Sequence, residues 1–102
     1  PLFQPRIHQL RRPGPDSGEL AAAAALLMAA QKPLIVADGG VHYSDACDAL
    51  AAFAAEHRIP VAETQAGKSA LPWNHAQNVG AIGVTGSAAA NTLAAEADVC
   101  WR

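Results

Sequence analysis

The sequence predicts an α/β fold in which helices cover both faces of a parallel sheet. Helix-like and strand-like segments alternate along the chain, and strands separated by helices usually pair in parallel through right-handed crossovers. The first strand, residues 33–37, is a continuous apolar run with β-branched side chains, Pro-Leu-Ile-Val-Ala. A strand that shows no polar alternation is typical of a sheet that is buried on both faces.

The N-terminal segment, residues 1–16, is predicted to be an extended interdomain linker. It contains four prolines and one glycine, which restrict or break the backbone too often for a helix. Asp16 or Ser17 can then cap a first helix over residues 19–31, and Pro33 ends it. Residues 17–102 are therefore predicted to form one partial domain.

The middle of the chain predicts a second helix, a second strand and a long loop. Ser44 is expected to cap a helix over residues 45–57, because apolar side chains recur there at helical spacing. Residues 60–64 form the second strand, with a proline at its start, where the missing N–H is tolerated. Residues 65–78 read as a loop, since a glycine, a proline and an asparagine interrupt any long regular element.

The C-terminal part predicts a small-residue helix over residues 87–96 and a third strand over residues 99–101. A doubly wound sheet usually has more than three strands. We therefore expect a truncated sheet that belongs to a longer polypeptide. Its open edge favours self-association and a weakly stable monomer.

Composition excludes several classes of protein. The chain has 102 residues, a net charge of −2 and 51% hydrophobic residues, much of this being alanine, so no general field attracts nucleic acid or a membrane. No apolar run reaches the roughly 20 residues that span a bilayer, and the start does not resemble a secretory signal. A cytoplasmic protein without nucleic-acid or membrane partners is expected. Cys47 and Cys100 alone form no disulfide framework.

Catalytic and metal-binding patterns are absent from the sequence. The four histidines show no spacing typical of zinc ligands, and no nucleophile elbow is present. Neither cysteine has an evident histidine partner. Charged residues at the predicted strand ends, Asp38, Glu63 and Lys68, are candidates to line a cleft, with surface solvation as the alternative.

Three segments suggest phosphate or nucleotide binding. Gly39-Gly40 follows a buried strand and Glu63 ends the next strand, as in dinucleotide folds, but no third glycine follows, so a tight turn is the alternative. Residues 80–87 are rich in glycine and could present N–H groups to an anion or permit close helix packing. Residues 61–69 approximate a phosphate-binding loop, but Ala62 replaces its first glycine, and we interpret it as an ordinary loop.

Residues 33–41, 60–73 and 80–91 together resemble the central domain of thiamine-diphosphate-dependent enzymes; they read PLIVADGGV, PVAETQAGKSALPW and GAIGVTGSAAAN. The resemblance implies a Rossmann-like parallel sheet. Residues 61–91 look most like the branch of hydrolases that cleaves the C–C bond of a cyclic 1,2-diketone in myo-inositol degradation. The implied partners are the other domains of the parent chain, further copies in a homo-oligomer and a small-molecule substrate. Thiamine diphosphate and Mg²⁺ are expected to bind outside this chain, which would hold no catalytic or metal-binding residue.

The resemblance also implies a set of nucleotide-facing loops. In flavin-containing relatives such as acetohydroxyacid synthase, the aligned loops bind FAD, and the candidate cofactor-binding residues here are Gly39, Gly40, Gln65, Gly67, Lys68, Gly83, Val84 and Thr85. Asp38 stands where the family usually has a glycine. An acid at this turn would repel a dinucleotide phosphate, which favours an empty or vestigial site. An acetolactate-synthase-like protein and a freestanding module for FAD, NAD or ADP are the alternatives.

Overall fold

A computed structural model describes residues 3–102 and contains four helices and four strands in that range. In chain order they are α1 (Ser17–Ala29), β1 (Pro33–Ala37), α2 (Gly39–Tyr43), α3 (Cys47–His57), β2 (Val61–Glu63), β3 (Asn78–Ala81), α4 (Ala88–Glu96) and β4 (Val99–Trp101).

The four strands form one parallel sheet in the order β3-β2-β1-β4. Ile35 lies opposite Val61 of β2, and Pro33 lies opposite Val99 of β4. The predicted parallel pairing of the first two strands is therefore confirmed. Along the chain, β2 is added beside β1 and β3 beside β2. The chain then crosses back and adds β4 on the other side of β1, so the order in which strands are added reverses between β1 and β4. Such a topological switch leaves a crevice at the carboxyl ends of the strands.

Helices pack on both faces of the sheet, as predicted. On one face, Ile35 and Ala37 of β1 pack with Leu27 of α1 and Ala54 of α3. On the other face, side chains from β1 and β2 pack with α4; this cluster comprises Leu34, Val36, Ala62 and Ala90. The side chains of β1 thus enter two cores alternately. This accounts for its uninterrupted apolar sequence.

The prediction of only three strands was wrong, because β3 also joins the sheet. Its sequence, Asn-Val-Gly-Ala, has little β propensity, and Gly80 has a positive φ of 93°. The strand also pairs irregularly, since Val61 lies opposite Asn78 but Ala62 lies opposite Gly80. Pairing with β2, rather than a local pattern, therefore makes this segment a strand. The preceding loop is confirmed as far as Gln77.

The segment between β1 and β2 contains two helices where one was predicted. Asp38 caps the short helix α2, and Ser44 ends α2 instead of capping α3. Asp45 has a positive φ of 53°, which turns the chain, and α3 begins at Cys47 without a side-chain cap.

The first helix is displaced by two residues from its prediction. Asp16 caps it as expected and accepts a hydrogen bond from the Glu19 N–H at 2.9 Å. The helix ends at Ala29, because the Asp98 carboxylate accepts hydrogen bonds from the backbone N–H groups of Gln31 and Lys32 at 2.8 and 2.9 Å. Asp98 thereby holds the residues that follow α1 beside the start of β4.

Residues 4–16 contain no helix or strand and are exposed. Within them, the Arg12 Nε donates a hydrogen bond of 2.9 Å to the carbonyl oxygen of Tyr43. Pro1 and Leu2, which belong to the predicted linker, lie outside the described residues. Across residues 3–102, no helix has the length and apolar character needed to cross a bilayer.

Candidate functional site

The candidate cofactor-binding residues lie in three loops at one edge of the sheet. Parallel strands end at the same edge, and the loops follow three neighbouring strands. Gly39 and Gly40 begin α2 after β1, residues 65–68 follow β2, and residues 83–85 follow β3. The strand order therefore brings together segments that are far apart in the sequence.

Asp38 forms the centre of a hydrogen-bond network at this edge. Its Oδ1 accepts hydrogen bonds from the Thr64 hydroxyl at 2.7 Å and from the Gly39 N–H at 2.8 Å. Its Oδ2 accepts from Nε and Nη2 of Arg102 at 3.2 and 2.6 Å. Asp38 thus connects the ends of β1, β2 and β4 through one carboxylate.

These contacts favour the charged form of the Asp38 side chain. The pKa of its carboxyl is held far below the ordinary value, chiefly by the Thr64 hydroxyl and then by Arg102 and the Gly39 N–H. The same ion pair raises the pKa of the Arg102 guanidinium. The turn after β1 therefore carries a fixed negative charge that is already hydrogen-bonded to the first N–H group of α2. A phosphate would have to displace this carboxylate to reach that N–H.

Gly67 allows the loop after β2 to pack against the end of β1. A Cβ atom at this position would overlap the Ala37 carbonyl and come within 2.9 Å of the Asp38 Cα. The Gly67 N–H also donates a hydrogen bond of 3.1 Å to the Thr64 hydroxyl. Gly67 therefore supports the Asp38 network by permitting close backbone approach.

Glu63 holds the remainder of this loop. Its side chain is buried, and its carboxylate accepts hydrogen bonds from the backbone N–H groups of Ser69 at 3.3 Å and Leu71 at 3.1 Å. The Asn78 side-chain amide also donates to it, at 3.4 Å. In dinucleotide folds an acid at the end of this strand accepts a hydrogen bond from the ribose, but the oxygens of the Glu63 carboxylate are engaged by the loop itself. No helix follows residues 61–69, in keeping with an ordinary loop.

The third candidate loop is an exposed turn closed by Asn91. The Asn91 amide oxygen accepts a hydrogen bond from the Gly83 N–H at 2.9 Å, and its amide group donates to the Gly83 carbonyl at 2.8 Å. Gly83 has a positive φ of 114°, and Val84 is fully exposed. Gly86 packs against the backbone of residues 81–83. The glycines of this segment therefore form a tight turn before α4.

An apolar cavity of about 510 Å³ lies beside the Asp38 network at the switch between β1 and β4. Val41, Leu50 and Phe53 line it from the helical side, and Trp101 lines it from β4. The Phe53 and Trp101 rings meet edge to face, with their centroids 6.4 Å apart. Arg102 and Asp38 provide the polar boundary of this cavity.

Sequence reasoning did not identify Thr64 or Arg102 as members of this network. It also missed a contact between Cys47 and His42, whose Sγ and Nδ1 atoms are 3.5 Å apart. The expectation that neither cysteine has a histidine partner is therefore wrong for Cys47. The five-residue separation of Cys47 and His42 is not a helical spacing, and only the turn between α2 and α3 brings the two side chains together.

Metal-binding side chains are dispersed in the part of the chain that the structure describes. Within residues 3–102, no three His, Cys, Asp or Glu side chains gather where they could hold a metal ion. These residues alone do not fit the Mg²⁺ ion that accompanies a bound diphosphate.

The parallel sheet, its switch between β1 and β4 and the loops at its carboxyl edge define a Rossmann-like α/β domain. Residues 20–101 match the family model described as the central domain of thiamine pyrophosphate enzymes. The chain belongs to this family.

Similar proteins from three bacteria extend the match to nearly the whole chain. Proteins named 3D-(3,5/4)-trihydroxycyclohexane-1,2-dione hydrolase from Clostridium tetani, Clostridium perfringens and Bacillus cereus are 44%, 47% and 46% identical to it over 98 residues. Each alignment covers 96% of this chain and 15% of the relative. The chain thus spans about 15% of the length of the relatives it matches.

Proposed function

We propose that this chain is the central, non-catalytic domain of a thiamine-diphosphate-dependent hydrolase. The parent protein would cleave the C–C bond of a cyclic 1,2-diketone in myo-inositol degradation, as a cytoplasmic homo-oligomer. Residues 1–16 would link this domain to a preceding one, and residues 17–102 would form part of the central sheet. The name that the three relatives share, together with their identity of 44–47% over 96% of the chain, supports this proposal.

A scaffold role is supported by the residues at the carboxyl edge. Thiamine diphosphate and Mg²⁺ would be bound by other parts of the parent protein, of which this chain covers about 15% in the relatives. Glu63 is buried and holds a loop, and Asp38 is paired with Arg102. These two carboxylates therefore stabilise the domain rather than face a substrate.

One observation favours this proposal over a nucleotide-binding module, namely the hydrogen bonding of the Asp38 carboxylate. This carboxylate accepts the Gly39 N–H, which is the group that a phosphate would use at this turn. A phosphate at this turn would have to compete with the carboxylate for that N–H. The eight candidate residues from Gly39 to Thr85 would then form a vestigial site that no longer holds FAD.

The activity is tested on the protein that contains this chain, supplied with thiamine diphosphate and Mg²⁺. Consumption of the trihydroxycyclohexanedione with formation of an open-chain acid supports the proposal. Formation of acetolactate from pyruvate, without consumption of the diketone, would instead establish the acetolactate-synthase-like alternative. The 102-residue chain alone is the matched control and should turn over neither compound.

A thermal-shift measurement tests the scaffold role separately. The melting temperature of the chain should not change with FAD, NAD or ADP, since the Asp38 carboxylate occupies the turn. A concentration-dependent rise with any of the three nucleotides would show that the edge of the sheet is a working nucleotide site.

A further inference from the structure

The Cys47–His42 pair lies outside the Asp38 network, and its geometry determines which histidine nitrogen carries a proton. The His42 Nε2 is 3.0 Å from the carbonyl oxygen of Lys68. A carbonyl can only accept a hydrogen bond, so Nε2 is the donor. In the neutral imidazole, Nδ1 then has a free lone pair, and it is this atom that lies 3.5 Å from the Cys47 Sγ.

Backbone hydrogen bonds hold both side chains in place. The turn between α2 and α3 is closed by three of them, from the N–H groups of Ser44, Asp45 and Ala46 to the carbonyls of Gly40, His42 and Val41 at 2.9, 3.1 and 3.0 Å. The loop that supplies the Lys68 carbonyl is held on its other side by the bond from the Ser69 N–H to Glu63. A thiol, a base and a group that orients the base are therefore arranged as in activated nucleophiles.

The thiol is also accessible. Cys47 is only partly buried, and it lines an open cavity of about 440 Å³ together with Lys68, Leu71 and Trp73. It is the first residue of α3, an eleven-residue helix. The N-terminal end of a helix stabilises the negative charge that develops on sulfur when the proton leaves. A small molecule in this cavity can therefore reach a thiol whose proton has an acceptor.

We propose that Cys47 is a modification site for small carbon electrophiles, with His42 as its general base. The thiol proton moves to the His42 Nδ1 while the sulfur attacks the electrophilic carbon. With iodoacetamide as the probe, an S–C bond forms, the C–I bond breaks, iodide leaves, and His42 then releases the proton to solvent. The cavity bounded by Trp73 and Lys68 admits the reagent.

Competitive alkylation of the two cysteines tests the proposal. Exposure alone predicts that Cys100, which is the more exposed, reacts first. The proposal predicts the reverse order. The folded chain is treated with a limiting amount of iodoacetamide at a concentration at which light scattering shows a monomer, so that Cys100 in β4 stays exposed. The extent of reaction at each cysteine is read by peptide mapping. Cys47 should react at least about tenfold faster than Cys100. This factor is smaller than the roughly 10²–10⁴-fold acceleration that a positioned base can contribute. In urea the two rates should become similar.

The matched variant is His42→Gln, whose amide can still donate to the Lys68 carbonyl but cannot act as a base. It should slow alkylation of Cys47 by about tenfold and leave Cys100 unchanged, while a circular dichroism spectrum like that of the unmodified chain reports that the fold is intact. An unchanged Cys47 rate in His42→Gln would overturn the assignment of the base. If the variant does not fold, the unmodified chain still decides the matter, because a Cys47 rate equal to or below that of Cys100 would overturn the proposal by itself.

Discussion

Asp38 and Arg102 form an ion pair across the switch point of the sheet, although 64 positions separate them in the sequence. Both guanidinium donors reach the same carboxylate oxygen, while the other carboxylate oxygen accepts from Thr64 and Gly39. The pair therefore joins the ends of β1 and β4 beside the apolar cavity at the switch point. The guanidinium of Arg102 balances the negative charge of Asp38 at the turn that precedes α2.

The Asp38 network makes the stability of the chain sensitive to acid. The pKa of Asp38 is lowered in the folded state from an ordinary value of 3.8, so the unfolded chain takes up the proton first as the pH falls. The free energy of unfolding should therefore be constant well above this value and decrease below it. Asp38→Asn should lower stability at neutral pH and weaken this acid dependence. Urea unfolding at a series of pH values measures both effects.

Asp45→Asn is the control for this experiment. Asp45 is exposed and lies in a left-handed turn that asparagine also tolerates. The free energy of unfolding of the Asp45→Asn variant should fall at low pH in the same way as that of the unmodified chain. The pKa of Asp98 is also lowered, chiefly by the Gln31 N–H. Asp98 therefore accounts for the pH dependence of stability that remains in the Asp38→Asn variant. Equal acid sensitivity of Asp38→Asn and the unmodified chain would contradict the prediction.

Substitution of Gly67 should disrupt the packing between the loop and β1. In Gly67→Ala, the added methyl would overlap the Ala37 carbonyl, and relief of this overlap should cost about 1–3 kcal/mol of unfolding free energy. Gly40→Ala is the matched control, since nothing lies within 4 Å of its added Cβ. It should be neutral or stabilise the chain by up to about 1 kcal/mol. Equal stability of the two variants in urea unfolding would contradict this role of Gly67.

Glu63→Gln should loosen the loop after β2. The buried carboxylate accepts the Ser69 and Leu71 N–H groups, and an amide would place a donor against one of them. We expect a loss of about 1–3 kcal/mol, the cost of an unsatisfied buried group. Glu56→Gln on the exposed surface of α3 should change stability by less than about 0.5 kcal/mol. Thermal unfolding of the two variants checks the prediction, and similar melting temperatures would refute it.

The open edge at β4 predicts self-association. Trp101 is 38% exposed and borders the apolar cavity, and β4 has a sheet neighbour only on its β1 side. Unpaired strand edges and apolar patches favour association between copies. Light scattering at micromolar concentration should detect a dimer or a larger assembly, and Trp101→Lys should shift it towards the monomer. A sharply monomeric chain would show that the four strands are sufficient without a further copy.

Local sequence patterns correctly predicted those elements whose structure depends on residues close together in the sequence. The apolar run of β1 indicated burial on two faces because both of its sides meet helices. The sequence predicts the cap of α1 to within two residues, Asp16 or Ser17, because an N-terminal cap requires only contacts within one helical turn; the structure places it at Asp16. The edge that carries the candidate loops also followed from the alternation of helices and strands, since parallel strands end at one edge.

Tertiary structure alone decided β3, the Asp38–Arg102 pair and the Cys47–His42 contact. The residues of β3 become a strand through hydrogen bonds to β2, which no local periodicity encodes. Arg102 reaches Asp38 because β4 pairs with β1. The sequence by itself determined the kinds of element and the edge at which they meet. Strand order and turn geometry decided which charged and nucleophilic side chains come into contact. Packing, rather than spacing along the chain, determines contacts between residues that are far apart in the sequence.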